Sequence, residues 1–341
     1  MSATGLRIVA AGPGATVQDQ GRFGFMRFGV TPAGPMDPQA FAAAAALAGN
    51  DGEAAAVEIG PGGISVTSEG APLALAFAGG GFSWRRAGEP LPPAARLMLG
   101  PGEVLSARPG GRGVFAYLSV AGGFLTPPEL GSRATHTRSG MGGLEGRMLR
   151  AGDVLPVGAR AVTEVGEACP DDSFDLAPHD APLRVILGPQ DDYFGPDAIA
   201  AFLSGAYALT PRADRMAYAL SGPPVTHARG FDIVSDGLAM GAVQIAGDRQ
   251  PLVLMADRQP TGGYPKIAHV ISADLGRLAQ TRPGESVRFM ATTLDDALAA
   301  RRALDQRTGA AARRLRPLAR AATTRRLLAV NLVSGVTDGR P

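Results

Sequence analysis

One cysteine, one lysine and one tryptophan are all that a chain of 341 residues contains of these types. Cys169 alone permits no intrachain disulfide and no multi-thiolate zinc site, and a reducing compartment is the simpler reading. No apolar run approaches the roughly 18 residues of a membrane helix. Residues 1–14 have no basic segment ahead of a long apolar stretch, so no secretory signal is read. A soluble, cytoplasmic protein is expected. Phosphate-loop, dinucleotide-fold and nucleophile-elbow motifs are all missing. The four histidines (136, 179, 227 and 269) are scattered without metal-ligand spacing, so each is expected to be surface or structural and no metal site is assigned.

Glycine and proline together make up 75 of the 341 residues. That is about 22%, against a usual value of roughly 12%, and it excludes an architecture of long helices. Short strands separated by many turns fit better. The formal net charge of +2 is unevenly spread: residues 301–341 hold ten Arg and two Asp, leaving the body at −6. This basic tail lacks aromatics, so a solvated helix and linker is preferred to a nucleic-acid arm. Lys266 stands among 32 arginines. Where Arg is used wherever Arg will serve, a lone Lys points to a compact ammonium that a guanidinium cannot replace.

Residues 37–50 read as a helix with Asp37 as N-cap, Pro38 in the first turn and Gly49 past the end. Short apolar or alternating runs follow at 57–59, 64–66, 73–77, 96–99, 104–107 and 113–120, at the spacing of a barrel or sandwich. Residues 156–182 read as a linker. A second β-rich unit starts at 183, with a short helix over 196–204 and strands at 217–220, 231–234, 242–245 and 252–256. A final helix over 293–307 has Thr293 as N-cap. Arg150-Ala151-Gly152-Asp153 and Arg282-Pro283-Gly284-Glu285 close the two halves alike, and each lies downstream of a Gly-Gly pair, 122–123 and 262–263. A faint duplication follows. The expected domains are 1–155, a linker 156–182, 183–292, and a helix with basic tail over 293–341.

The densest polar loop covers 255–266. Successive glycines, Gly262 and Gly263, would let backbone amides turn toward an anion, with the Thr261 hydroxyl and the Lys266 charge beside them. Gln18-Asp19-Gln20-Gly21-Arg22, residues 138–143, residues 189–193, Asp214-Arg215-Met216 and Ser235-Asp236-Gly237 are further polar loops. Singly each reads as a capped turn; together they describe a polar cleft between domains. Lys266 is expected to face that cleft near Gln18, Asp19 and Arg258.

Thr16-Val17-Gln18-Asp19-Gln20-Gly21-Arg22 followed by residues 29–37 resembles the opening of the KipA-like family, also called allophanate hydrolase subunit 2 or the C subunit of 5-oxoprolinase. Residues 131–135, 142–147, 188–194, 214–216, 255–259 and 261–266 resemble the family too, so the likeness runs from about 6 to 290. It implies a mostly β protein with a few helices, built as two cyclophilin-like β-barrel domains. Two chemistries are implied. One is ATP-dependent opening of 5-oxoproline to glutamate together with KipI-like and LamB/YcsF-like subunits, ATP and Mg²⁺ being shared with those partners. The other is carboxyl transfer from carboxybiotin, on a separate carrier, to urea or a related amide. Lys266 is not in a biotin-carrier turn. A regulatory partner of a KipI-like kinase inhibitor is the reading from a different class. Neither nucleic acid nor membrane is expected as a partner. Catalytic candidates are Lys266, Asp257, Arg258 and Asp19, the carboxylates to bind Mg²⁺ or orient a proton transfer. Substrate-binding candidates are Gln18, Arg22, Ser139, Arg215, Gln259, Thr261, Gly262, Gly263 and Tyr264.

Overall fold

The computed structural model describes residues 4–158, 166–171 and 181–318. The N-terminal strands form two antiparallel sheets that share one core. The first sheet runs, in spatial order, Val154–Pro156, Gly5–Ala11, Ile64–Glu69, Val104–Arg112, Gly81–Arg86 and Glu89–Leu91. The second runs Thr16–Gln18, Ala56–Ile59, Ala116–Val120, Leu73–Ala78, Ala95–Leu99, Ala168–Pro170 and Leu315–Pro317. Ile64–Glu69 alternates buried and half-exposed residues, as a strand with one face inward must. Leu73–Ala78 and Ala116–Val120 are buried throughout. Leu6, Ile8, Val57, Phe77, Trp84 and Leu118 pack between the sheets, with Trp84 stacked on Phe77.

The C-terminal strands close into a seven-stranded barrel in the order Leu183–Leu187, Lys266–Val270, Ala242–Ile245, Pro251–Leu254, Ala217–Ser221, Ala206–Ala213 and Ser286–Ala291. A parallel pairing of the first and last strands completes the closure. Closure leaves no free edge within that sheet. The protein is therefore mostly β with four α-helices among the described residues, one of its two units being a closed barrel.

Helix α1 (Pro38–Leu47) forms where expected: Asp37 Oδ1 accepts from the amides of Gln39 at 3.1 Å and Ala40 at 3.0 Å, and Pro38 occupies the first turn. Its alanines keep it thin, and it is buried in a second core that both units share, with barrel residues such as Leu183, Leu278 and Phe289. Helices α2 (Pro196–Ser204), α3 (Leu275–Ala279) and α4 (Leu294–Ala311) follow. Thr293 caps α4 by accepting from the Asp296 amide at 3.1 Å. The two halves repeat one turn: Arg150 N bonds Asp153 Oδ2 at 2.8 Å, Arg282 N bonds Glu285 Oε2 at 2.8 Å, and Gly152 and Gly284 have φ of 93° and 92°.

Three expectations change. Residues 231–234 are not a strand; Phe231 and Val234 are exposed on a loop with no sheet to bury them. Gln18, read as part of a polar loop, ends an edge strand, Thr16–Gln18, that pairs with Ala56–Ile59. The stretch read as a linker contributes Ala168–Pro170 to the N-terminal body, where Cys169 is buried, and the tail contributes Leu315–Pro317 beside it. Residues 159–165, 172–180 and 319–341, including most of the basic tail, lie outside the described residues.

Candidate active site at the domain junction

Arg215 sits in the turn before Ala217–Ser221, where Asp214 Oδ1 accepts from the amides of Met216 at 2.8 Å and Ala217 at 3.1 Å. That turn aims the guanidinium into the junction. It grips Asp257 with two parallel bonds of 2.9 and 2.8 Å, reaches Glu58, and donates to the Gly34 carbonyl at 2.7 Å. Glu58 and Gly34 belong to the N-terminal unit, so Arg215 ties the units together. Glu58 is fully buried and also accepts from the Tyr117 hydroxyl at 2.7 Å and the Met36 amide at 2.8 Å. Burial pushes Glu58 above the usual carboxylate range; Arg215 and the two hydrogen bonds only partly oppose it. Burial pulls Arg215 the other way, but Glu58 and Asp257 outweigh it and hold the guanidinium above its ordinary value. Gln280 adds a second tie, donating to Asp37 Oδ2 and to Phe115 O at 2.8 Å each.

Beside this network lies a cavity of about 280 Å³, walled in part by Thr31, His136 and Ser139 from one unit and by Asp257, Arg258 and Gln259 from the other, with apolar groups such as Val30 and Met141 between them. Arg258 is 7% exposed. Its Nε donates to Leu238 O at 2.9 Å, and Nη1 makes long contacts of 3.5 Å to the Met255 and Ala256 carbonyls. Among the described residues no carboxylate forms an ion pair with it. Burial lowers its pKa to about 10, with Asp257 opposing from a distance. A buried cation without an ion-pair partner is costly, and an anion in this cavity would offset that cost. A larger chamber of about 670 Å³ adjoins it, lined mainly by apolar groups such as Phe115, Met148, Leu209 and Tyr218. Arg138, Met216 and Asp257 form the shared wall. An exposed Arg138–Asp214 pair at 3.1 Å spans the units there.

Gln18, Asp19 and Arg22 stand behind this cavity rather than in its wall. Asp19 accepts from Ser132 Oγ at 2.6 Å, Arg133 N at 2.5 Å and Gly21 N at 2.9 Å. Gln18 Nε2 donates to Thr135 O at 3.0 Å, and Arg22 Nη2 to Ala134 O at 2.6 Å. Burial lowers the Arg22 pKa. Together they clamp residues 132–135, which lead directly to His136 and Ser139. Gly142 is required here: its φ is 69°, and a Cβ would overlap Ala134 O and lie 2.6 Å from Arg22 Nη2.

Lys266 lies elsewhere. It is 1% exposed, and its Nζ donates to Asp236 Oδ2 at 2.5 Å and Gly237 O at 3.2 Å. Its bonds are to these groups rather than to Asp19 or Gln18. Thr261–Gly262 pairs with Asp236–Gly237, and neither Gly262 nor Gly263 has positive φ. Thr261 and Gly262 are held in a short two-stranded ribbon, so the expected anion-binding turn of amides is not formed. Tyr264 is half-exposed, its carbonyl accepting from Gln244 Nε2 at 3.2 Å. Lys266 and Arg258 hold successive carbonyls, Gly237 and Leu238, and so pin this ribbon from two sides. Glu58, Tyr117 and His136 are not among the residues that sequence reasoning selects. For Glu58 a signal is present: it is the one acid in Ala55-Ala56-Val57-Glu58-Ile59, an otherwise apolar strand.

Residues 28–291 match the model of the carboxyltransferase domain, subdomain A and B. The chain belongs to this family. It is 36% identical over 296 residues to the 5-oxoprolinase C subunit of Escherichia coli, covering 87% of this chain and 94% of that protein. It is 30% identical over 308 residues to urea amidolyase of Saccharomyces cerevisiae, covering 84% of this chain but 16% of that one. The crystal structure of the K. lactis urea amidolyase superposes with a TM-score of 0.81 at 27% identity, over 90% of this chain and 20% of that chain. The chain thus spans nearly all of one relative and a small part of the others. These relatives are enzymes or components of enzymes. The family likeness read from residues 16–37 and 255–266 agrees with this membership. Among the described residues no three His, Cys, Asp or Glu side chains converge as a metal cage, and no helix is long and apolar enough to cross a membrane.

Proposed function

We propose that this chain is the C subunit of a bacterial-type 5-oxoprolinase and that the cavity beside Arg258 holds 5-oxoproline. The observation that carries the reading is Arg258, a buried guanidinium without a carboxylate partner among the described residues, facing a cavity of small-molecule size. 5-Oxoproline brings a carboxylate for that cation and a lactam for the neighbouring Gln259 and Ser139. A lactam carbonyl is a poor electrophile, and phosphorylating its oxygen with ATP makes the carbon open to water. This chain's share is positioning and charge stabilisation. Asp257 does not act as a free base in this scheme, since both its oxygens are engaged by Arg215. The Mg²⁺–ATP and the hydrolytic step belong to the assembly with KipI-like and LamB/YcsF-like subunits in the cytoplasm. Mixing the three proteins with Mg²⁺–ATP and 5-oxoproline is expected to yield glutamate and ADP in equal amounts. Formation of neither would overturn the reading.

Carboxyl transfer to urea is the second reading, supported by the urea amidolyase relatives. Urea is itself neutral and brings no carboxylate of its own to Arg258, whereas 5-oxoproline does, which favours the anionic lactam. Substrate-dependent decarboxylation of a carboxybiotinylated carrier by this chain and its partner, with urea and not with 5-oxoproline, would reverse that preference.

A further inference from the structure

Ser139 and His136 meet in the wall of the cavity beside Arg258 with Oγ and Nδ1 only 2.6 Å apart. Binding and orienting a lactam gives His136 no role. Its Nε2 is buried, and its interaction with the main chain of Asp257 favours a proton on the ring. A proton on Nε2 leaves Nδ1 bare. The Ser139 hydroxyl then donates to Nδ1 and turns its own oxygen lone pairs outward. Ser139 is exposed where His136 is buried, so a bound molecule meets the hydroxyl first.

We propose that Ser139 and His136 form the proton-accepting pair of this site, removing the N–H proton of the bound amide. This deepens the 5-oxoproline reading and rests on it. The lactam N–H proton passes to Ser139 Oγ as the Ser139 proton passes to His136 Nδ1. The products are an imidazolium and an amide anion whose charge is shared with its carbonyl oxygen. That oxygen is the atom to be phosphorylated, and loss of the N–H proton is what makes it nucleophilic. Arg258 supplies the fixed positive charge of the cavity. Ser139 touches the substrate and is catalytic; His136 acts through Ser139.

The groups around His136 suit the task. Burial is the largest effect on the ring and lowers its pKa; Asp257 opposes, while Arg215 and Arg22 lower it further. Arg138, at the shared wall, and Arg258, in the cavity, add further positive charge near the pair. The ring is therefore neutral and able to accept a proton at pH 7.

The test is kinetic, on the assembled complex of all three proteins with 5-oxoproline and Mg²⁺–ATP, across pH 5–9. In the wild type, kcat/KM is expected to fall on the acid side with a midpoint below the ordinary histidine value of about 6.5. Ser139→Ala, an exposed change that leaves the fold intact, is expected to lower kcat about 100-fold or more with KM little changed. His136→Gln is expected to lose rate similarly and to abolish the acid limb. Ser139→Thr, which keeps the hydroxyl, is expected to recover much of the rate. Wild-type kcat in Ser139→Ala, or an unchanged acid limb in folded His136→Gln, would overturn the proposal. Absence of turnover in the wild-type complex would instead overturn the 5-oxoproline reading itself.

Discussion

Replacing Arg215 by Met removes the one side chain that joins Glu58, Gly34 and Asp257, and leaves two carboxylates facing each other in the junction. Four hydrogen bonds are lost, three of them to charged acceptors. Removing one partner of a buried ion pair costs about 3–5 kcal/mol, a large part of a total stability of about 5–15 kcal/mol. The cost should depend on pH. Glu58 is held above its ordinary range, so the folded state binds this proton more tightly than the unfolded chain does. That contribution is complete at low pH and is lost as pH rises through the folded pKa of Glu58. Without Arg215 that pKa rises further, so the penalty is expected to be smaller at pH 5 than at pH 8. Urea unfolding measures this with two probes. Fluorescence of Trp84, the only tryptophan, reports the N-terminal core, and far-UV circular dichroism reports both units. In Arg215→Met the two curves are expected to separate, because the main electrostatic tie between the units is gone. Adding Glu58→Gln and Asp257→Asn should recover over half of the loss. A loss below about 1 kcal/mol, or no recovery in the triple variant, would refute the view that Arg215 is the junction's electrostatic tie.

Three further changes test the site. Arg258→Met should raise KM for 5-oxoproline at least about 10-fold while the complex still assembles, and Arg258→Lys should recover part of that; steady-state kinetics decide it. Gly142→Ala should destabilise by about 1–3 kcal/mol and lower activity through the 132–139 segment, seen as a lower urea midpoint. Lys266→Ala should leave the cavity intact but speed amide hydrogen exchange over residues 233–238, since the ammonium holds Asp236 and Gly237; unchanged exchange would show the ribbon does not need it.

The parts of the molecule governed by local rules are legible in its sequence. Asp37-Pro38 marks α1 because a carboxylate cap and a preset φ act within one turn, and the apolar runs at 57–59 and 73–77 mark strands because burial imposes them. The site is legible only in part. Arg215, Asp257, Arg258, Gln259 and Ser139 do converge, but their convergence depends on how two units dock, which no local pattern records. Lys266 stands out by its rarity. Rarity carries no direction, and the side chain turns to Asp236 because its strand faces the ribbon of 236–237 and 261–262. The glycines at 262–263 carry the turn signal of an anion loop, yet cross-strand pairing claims their peptide groups first. His136 lacks metal-ligand spacing, although its spacing of three from Ser139 is what lets one turn bring ring and hydroxyl together.

The strand Leu315–Pro317 bears on how the molecule is made. It is the outermost strand of the N-terminal sheet, paired to Ala168–Pro170, although the whole barrel precedes it in the chain. A ribosome delivers the N-terminal unit first, but that unit keeps an unpaired edge at Ala168–Pro170 until residues beyond α4 emerge. The barrel must therefore be synthesised, and its chain must pass α4, before the first unit can be finished. The earliest part of the protein to be made is among the last to be completed.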